Sequence, residues 1–244
     1  MRIATMRRLV CAAGLAALAA LGVAGAAADD EKKPAPEKPA PEVEKPAPCP
    51  DCKDGKECEK CAAAKKAAAE EAAKRPAASA FTLEDTHGKE HSLSDYRGKV
   101  VVLEWINHGC PYVKKHYDSG NMQDLQSKYA GKGVAWLSIC SSAEGKQGHM
   151  SPKEWNEKSA ALKAAPTAVL LDADGTAGRA YGAKVTPQMF VLDKAGAIAY
   201  RGAIDDNPSA RPADAKTAKN LVAEALDALL AGKEPPVAER APYG

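Results

Sequence analysis

From Phe81 onward the chain alternates short apolar runs with amphipathic stretches. Lys99–Ile106 (KVVVLEWI) is a continuous apolar run, the pattern of a strand buried on both faces. Tyr112–Tyr129 has helical periodicity interrupted around Ser119-Gly120-Asn121, and Gly133–Cys140 (GVAWLSIC) reads as a second strand. Ser151-Pro152-Lys153-Glu154 supplies an N-cap, a first-turn proline and a capping glutamate, opening a helix to about Ala165. Thr167–Leu171 and Gln188–Leu192 predict further strands, and Ala197–Tyr200 after the Asp193–Gly196 turn predicts the last one. Ala215–Leu230 closes the pattern as an amphipathic helix with Leu221, Val222, Ala225, Leu226, Leu229 and Leu230 on one stripe. Strands alternating with helices and ending in a hairpin predict an α/β fold, a mixed central sheet flanked by helices.

The first 80 residues follow different rules. None of the 12 aromatic residues precedes Phe81. Between Asp29 and Ala80 there is no Leu, Ile or Met, and Val43 is the sole branched aliphatic. Such a stretch cannot bury enough apolar surface to offset chain entropy, which predicts a disordered arm. Residues 1–28 combine Arg2, Arg7 and Arg8, an apolar run from Leu9, and Ala26-Ala27-Ala28, the layout of a secretory signal peptide. An uncleaved membrane anchor is the alternative, and the Arg7-Arg8 pair matches a twin-arginine signal weakly. Residues 29–48 repeat Lys-Pro-Ala-Pro among alternating charges, a semi-rigid polyproline spacer or a ligand for a proline-binding module. Residues 62–78 read as an exposed Ala-rich helix that Pro76 stops, residues 79–232 as the folded domain, and residues 233–244 as a C-terminal tail.

Charge then excludes one class of partner. The whole chain carries 34 basic and 32 acidic residues, but without the signal segment the balance is 31 to 32. No nucleic-acid or membrane-surface footprint remains, and a membrane tether is expected only if the signal is uncleaved.

Cysteine carries the candidate chemistry. Residues 49–61 hold Cys49, Cys52, Cys58 and Cys61 as two Cys-x-x-Cys pairs separated by five residues. Four such thiolates can enclose a structural zinc, while two disulfides serve an exported protein equally well. Within the folded domain, the apolar strand runs into Asn107-His108-Gly109-Cys110-Pro111, and the helix starts at Pro111. Cys110 is thereby placed beside unpaired helix amides and the positive end of the helix dipole, where thiolate is favoured, with His108 and Lys114 expected to act in the same direction. A small hydrophobe at a strand end is the bland alternative. Cys140 ends the next strand and is either a resolving thiol for Cys110 or a buried structural residue. Glu104 is either a buried proton acceptor or an exposed strand-face acid. His116, His149 and Met150 with Cys140 and Cys110 suggest copper, without supporting ligand spacing. Asp205-Asp206, after the last strand, is either a cation site or a helix-preceding or solvated acidic turn.

With FTLEDTHGKEHSLSDYRGKVVVLEW, NHGCPYVKKHY, Val185-Thr186-Pro187 and FVLDKAGAIAYRGAIDD, the stretch from about Ala80 to Gly232 resembles the thioredoxin-like redoxins of the alkyl hydroperoxide reductase and thiol-specific antioxidant superfamily. The resemblance implies a thioredoxin-like three-layer fold, a cis-proline at Pro187 lying against Cys110, no required cofactor, and a thiol or disulfide protein or a small hydroperoxide as partner. Two departures limit what is carried over. Val113 stands where thioredoxins have their second cysteine, so no disulfide forms within the motif. Leu103 and Asn107 replace the Pro and the Thr or Ser that precede a peroxidatic cysteine. The expectation is an exported redoxin with Cys110 as nucleophile, resolved by Cys140 or by an external thiol. The competing expectation is a thioredoxin-fold binding module with an idle Cys110 and a metal-holding cysteine cluster.

Overall fold

The computed structural model describes residues 59–244. In chain order the elements are α1 (Glu59–Ala72), β1 (Thr82–Asp85), β2 (Glu90–Ser92), β3 (Val101–Trp105), α2 (Pro111–Asp118), α3 (Asn121–Ala130), β4 (Ala135–Cys140), α4 (Pro152–Leu162), β5 (Ala168–Leu171), α5 (Thr176–Tyr181), β6 (Gln188–Leu192), β7 (Ile198–Gly202), α6 (Leu221–Leu230) and β8 (Glu239–Arg240). One sheet holds all eight strands in the order β2-β1-β5-β4-β3-β6-β7-β8. Its centre, β3-β4-β5, is parallel, and β6 pairs antiparallel with β3.

Every residue of β3, β4 and β6 is buried because both faces of the sheet are covered. On one face Val102, Trp136 and Val191 pack with Val113 and Tyr117 of α2, Leu125 and Tyr129 of α3, Trp155 of α4, and Val222 and Leu226 of α6. On the other, Val101, Leu103, Trp105, Leu137 and Phe190 pack with Tyr96 and with Ala177 of α5. Two apolar layers separated by a mixed sheet give the three-layer thioredoxin-like fold.

Several boundaries move from the sequence expectation, each for a local reason. The helical stretch after Cys110 divides into α2 and α3 at Gly120, whose φ of +80° suits glycine. The closing helix starts at Leu221 rather than Ala215. Pro212–Lys216 forms a separate 3-10 turn, and the Asn220 side chain accepts the Ala223 amide at 2.8 Å, which starts the helix there. The helix opened by Ser151 ends at Leu162, with Lys163 in the left-handed region. Glu59, not Ala62, begins α1, so Cys61 lies inside a helix. Ala197–Tyr200 is not the last strand, and residues 233–244 are not a separate tail, because β8 pairs with β7 at Arg201↔Glu239 and Gly202↔Arg240. The β1–β2 hairpin and α5 were not visible in the apolar pattern at all.

Residues 1–58, with the signal, the spacer and Cys49, Cys52 and Cys58, lie outside the described residues. None of the described helices is long and apolar enough to cross a membrane.

Candidate active site

The turn from β3 into α2 is built by Asn107. Its Oδ1 accepts the Gly109 amide at 2.7 Å, its carbonyl accepts the Cys110 amide at 2.9 Å, and its Nδ2 donates to the Gln147 carbonyl at 3.3 Å. Both polar ends of the side chain are thus engaged by backbone. Cys110 follows as the N-cap residue of α2 in an extended conformation, with Pro111 opening the helix. The Cys110 carbonyl accepts the Lys114 amide at 3.0 Å, the first turn of that helix.

Cys110 is half-buried, and its Sγ–H donates to the Thr186 carbonyl at 3.0 Å. The Thr186–Pro187 peptide bond is cis. The sequence elements separated by 76 positions are therefore joined in one site. Beside them opens a cavity of about 250 Å³ lined by Trp105, Asn107, Ser141, Ser142, Lys184 and Thr186 among others. Two of its lining residues are tied together, since Trp105 Nε1 donates to Ser141 Oγ at 3.0 Å and Ser141 donates to Asp172 at 2.5 Å.

His108 does not supply a positive charge. It is buried against the rings of Tyr117 and Trp155, with centroids 4.9 and 5.0 Å away. Burial, helped by the Lys158 charge, pulls its pKa from 6.5 down to about 4, so it is neutral at pH 7 and cannot act on Cys110 as a cation. Lys114 is exposed.

Cys140 comes to the same edge of the sheet as the end of β3, as the parallel β3–β4 pairing requires. It is buried, its Sγ–H faces the Gly148 carbonyl at 3.6 Å, and burial pushes its pKa up. With His149, Met150 and Trp155 it lines a second cavity of about 290 Å³. The copper reading gains no geometry from this: His116 is bonded elsewhere, and no group of three His, Cys, Asp or Glu residues among the described residues is arranged to hold a metal.

Glu104 is fully buried, which removes the exposed alternative. Trp136 Nε1 donates to it at 2.8 Å, Ser138 Oγ at 2.9 Å and Tyr117 OH at 3.1 Å. Burial raises its pKa and these donors oppose the rise. Asp205 is neither solvated nor a cation site, because its cation is internal. Lys115, with no exposed side-chain surface, places Nζ 2.8 Å from Asp205 Oδ2, 2.6 Å from the Asn207 carbonyl and 3.2 Å from Tyr243 OH. Tyr243 OH also donates to Asp205. This cluster escaped sequence reasoning, since Lys115, Asp205 and Tyr243 are far apart in the chain and no local pattern connects them.

A strand that ends in an Asn-built turn, a single cysteine at a helix start and a cis peptide bond whose Thr186 carbonyl accepts the Cys110 Sγ–H make up the candidate site. The AhpC/TSA family matches residues 75–201, more than half of the 244, and the chain belongs to this family. Among curated proteins, the thiol-disulfide oxidoreductase ResA of Geobacillus thermodenitrificans (strain NG80-2) is 30% identical over 121 residues, covering 50% of this chain and 64% of its own. ResA of Geobacillus kaustophilus (strain HTA426) matches to the same extent. The chain thus spans less than two thirds of the length of these relatives. Two solved structures share the architecture. An uncharacterized conserved protein from Geobacillus kaustophilus is 26% identical with a TM-score of 0.59, over 68% of this chain and 86% of that one. A hypothetical protein from Sinorhizobium meliloti 1021 is 25% identical with a TM-score of 0.61, over 70% of this chain and 90% of that one.

Proposed function

We propose that the domain is a thiol-disulfide oxidoreductase in which Cys110 is the lone attacking thiol. The observation that carries this reading is the placement of a half-buried Cys110 at the start of α2, with its Sγ–H on the Thr186 carbonyl at 3.0 Å. Cys110, as thiolate, attacks one sulfur of a partner's disulfide. A mixed disulfide forms and the partner's other sulfur leaves as a thiolate that takes up a proton. Because Val113 is fully buried where a second motif cysteine would stand, a thiolate from elsewhere must attack the Cys110 sulfur. The bond to the partner breaks, the reduced partner leaves, and Cys110 stays disulfide-bonded to the incoming thiol. A second thiol then attacks that thiol's sulfur, freeing the Cys110 thiolate and departing as the oxidised disulfide. The sulfur itself is the redox group, so the chemistry needs no cofactor.

An external thiol serves that step better than Cys140, whose burial and raised pKa keep thiolate scarce. A disulfide is also a better substrate than a hydroperoxide here. The position that would orient a peroxide is Asn107, whose Oδ1 and Nδ2 are both already engaged by backbone. Residues 1–28 support delivery outside the cytoplasm, where protein disulfides persist.

Reduction of a model disulfide by the full chain with an external thiol tests the reading. Cys110→Ser is expected to lose the activity by at least about a hundredfold, as for removal of a covalent nucleophile, whereas Cys140→Ser is expected to retain it. Activity surviving in Cys110→Ser removes the proposal, and a 110–140 disulfide found by mass spectrometry during turnover replaces the external resolver with Cys140.

A further inference from the structure

The C-terminal segment returns to the Cys110 site. Gly244 lies so close to the Thr186 peptide that a side chain there would collide with the Thr186 nitrogen and carbonyl. That carbonyl is the acceptor of the Cys110 Sγ–H. One residue earlier, the Tyr243 ring packs on Tyr112, two positions after Cys110, at 5.5 Å between centroids. The Tyr243 hydroxyl meets Lys115 at 3.2 Å and His116 at 3.3 Å, both on α2. The segment therefore touches both halves of the site, the helix that starts at the thiol and the loop that faces it.

Its attachment is uneven. Tyr243 is the half-buried anchor, while Glu239, Arg240, Ala241, Pro242 and Gly244 are exposed. The backbone hold consists of the short β8, with Arg201 N–H on the Ala238 carbonyl at 3.0 Å and Ala203 N–H on the Arg240 carbonyl at 3.3 Å. Its one ion pair among the described residues, Arg201–Glu239 at 2.8 Å, joins side chains 49% and 62% exposed, where water competes effectively. The close approach of β8 also depends on Gly202, whose φ of +129° and contact with the Arg240 carbonyl leave no room for a Cβ. The segment covers Thr186 without satisfying it: among the described residues no group accepts a hydrogen bond from the Thr186 N–H. An extended polypeptide laid along this loop would take that N–H and gain a bond that the segment does not make.

We propose that residues 239–244 form a displaceable strap over the Thr186 edge, which a polypeptide substrate must lift to bring its disulfide to Cys110. The proposal rests on Cys110 being the reactive thiol and adds a regulatory step to that same site: small reagents pass the strap and chain-like partners compete with it.

The test uses the full chain and labelling of Cys110, read by peptide mass spectrometry, with two reagents. Iodoacetamide reports the thiol, and a polymer-linked maleimide reports access for a bulky partner. Deleting residues 239–244 is expected to raise the maleimide rate by about tenfold or more, the effect of opening a state populated at or below about 10%. The iodoacetamide rate is expected to change less than about twofold, because the strap leaves the thiol itself in place. A synthetic peptide of residues 237–244 added to the deletion variant is expected to restore protection. Glu239→Arg, which sets like charges across β7–β8 and leaves Tyr243 untouched, is expected to move the ratio in the same direction. An unchanged ratio in a deletion variant that still unfolds cooperatively overturns the strap. Should the deletion lose cooperative unfolding, an unchanged ratio in Glu239→Arg overturns it. Disulfide reduction measured in parallel separates the two ideas: a raised labelling ratio without any reductase activity keeps the strap and removes the oxidoreductase reading.

Discussion

Replacing Asp205 by alanine is expected to lower the unfolding free energy by ~3–5 kcal/mol, as when one partner is removed from a buried ion pair. Asp205 and Lys115 have 2% and 0% of their side-chain surface exposed, so neither charge can turn to water if its partner is lost. The Asn207 carbonyl and the Tyr243 hydroxyl would still solvate the ammonium, but neither carries the compensating charge. The paired replacement Lys115→Met with Asp205→Leu is expected to restore part of that loss, because apolar side chains of similar size need no partner, while the Asn207 amide and carbonyl and the Tyr243 hydroxyl each lose one. Urea unfolding of the two variants and the parent checks this. A cost for Asp205→Ala within about 0.5 kcal/mol, the size of an ordinary surface substitution, would show that the pair is not a buried charge at all. Because Lys115 belongs to the helix that begins at Cys110, the same variant is also expected to loosen the site.

Acid is expected to destabilise the domain well before its exposed carboxylates titrate. His108 and His116 have their pKa values drawn from 6.5 down to about 4, in both cases chiefly by burial. For His116 the nearby Asp205 pulls upward, but desolvation outweighs it. Between 6.5 and about 4 the unfolded chain holds protons on these rings that the folded chain does not. Their contribution to stability is therefore complete above the unfolded value and is lost as the pH falls toward the folded one. The spread corresponds to at most ~3 kcal/mol per ring. Glu104 works in the opposite sense, since its raised pKa makes the folded chain the better proton binder above 4.5. His108→Phe keeps an aromatic ring against Tyr117 and Trp155 and leaves His116 and Glu104 in place. Its unfolding free energy is expected to fall less steeply than the parent's between pH 6.5 and 4.5, by about half of the histidine part. Denaturant titrations across that range decide the matter, and parallel pH profiles for parent and variant would exclude His108 as a neutral buried ring.

Parts of the fold were legible because their information is local and redundant. β3, β4 and β6 are continuous apolar runs whose residues are all buried, so periodicity and burial agree. Ser151 and Glu154 form the capping box their spacing implies, with the Ser151 amide on the Glu154 carboxylate at 2.7 Å. The β1–β2 hairpin was not legible, because its strands are largely polar and partly exposed, and the buried His91 that bridges Asp85 and Tyr96 has no apolar signature. α5 is six residues between two left-handed glycines, too short to show a period. β8 is two exposed residues that no hydrophobic pattern could mark.

The sequence by itself determined which thiol heads a helix after a buried strand. Strand burial, Pro111 and the absence of a second motif cysteine all act within a few residues of Cys110. Only the tertiary structure decided what surrounds that thiol: the Thr186 carbonyl on its Sγ–H, a His108 kept uncharged, a Lys115 charge neutralised by Asp205, and Tyr243 and Gly244 brought back across the site. The reason is physical. Caps, turns and periodicity are set by neighbouring backbone, whereas charge state and long-range pairing depend on how much water the finished packing excludes.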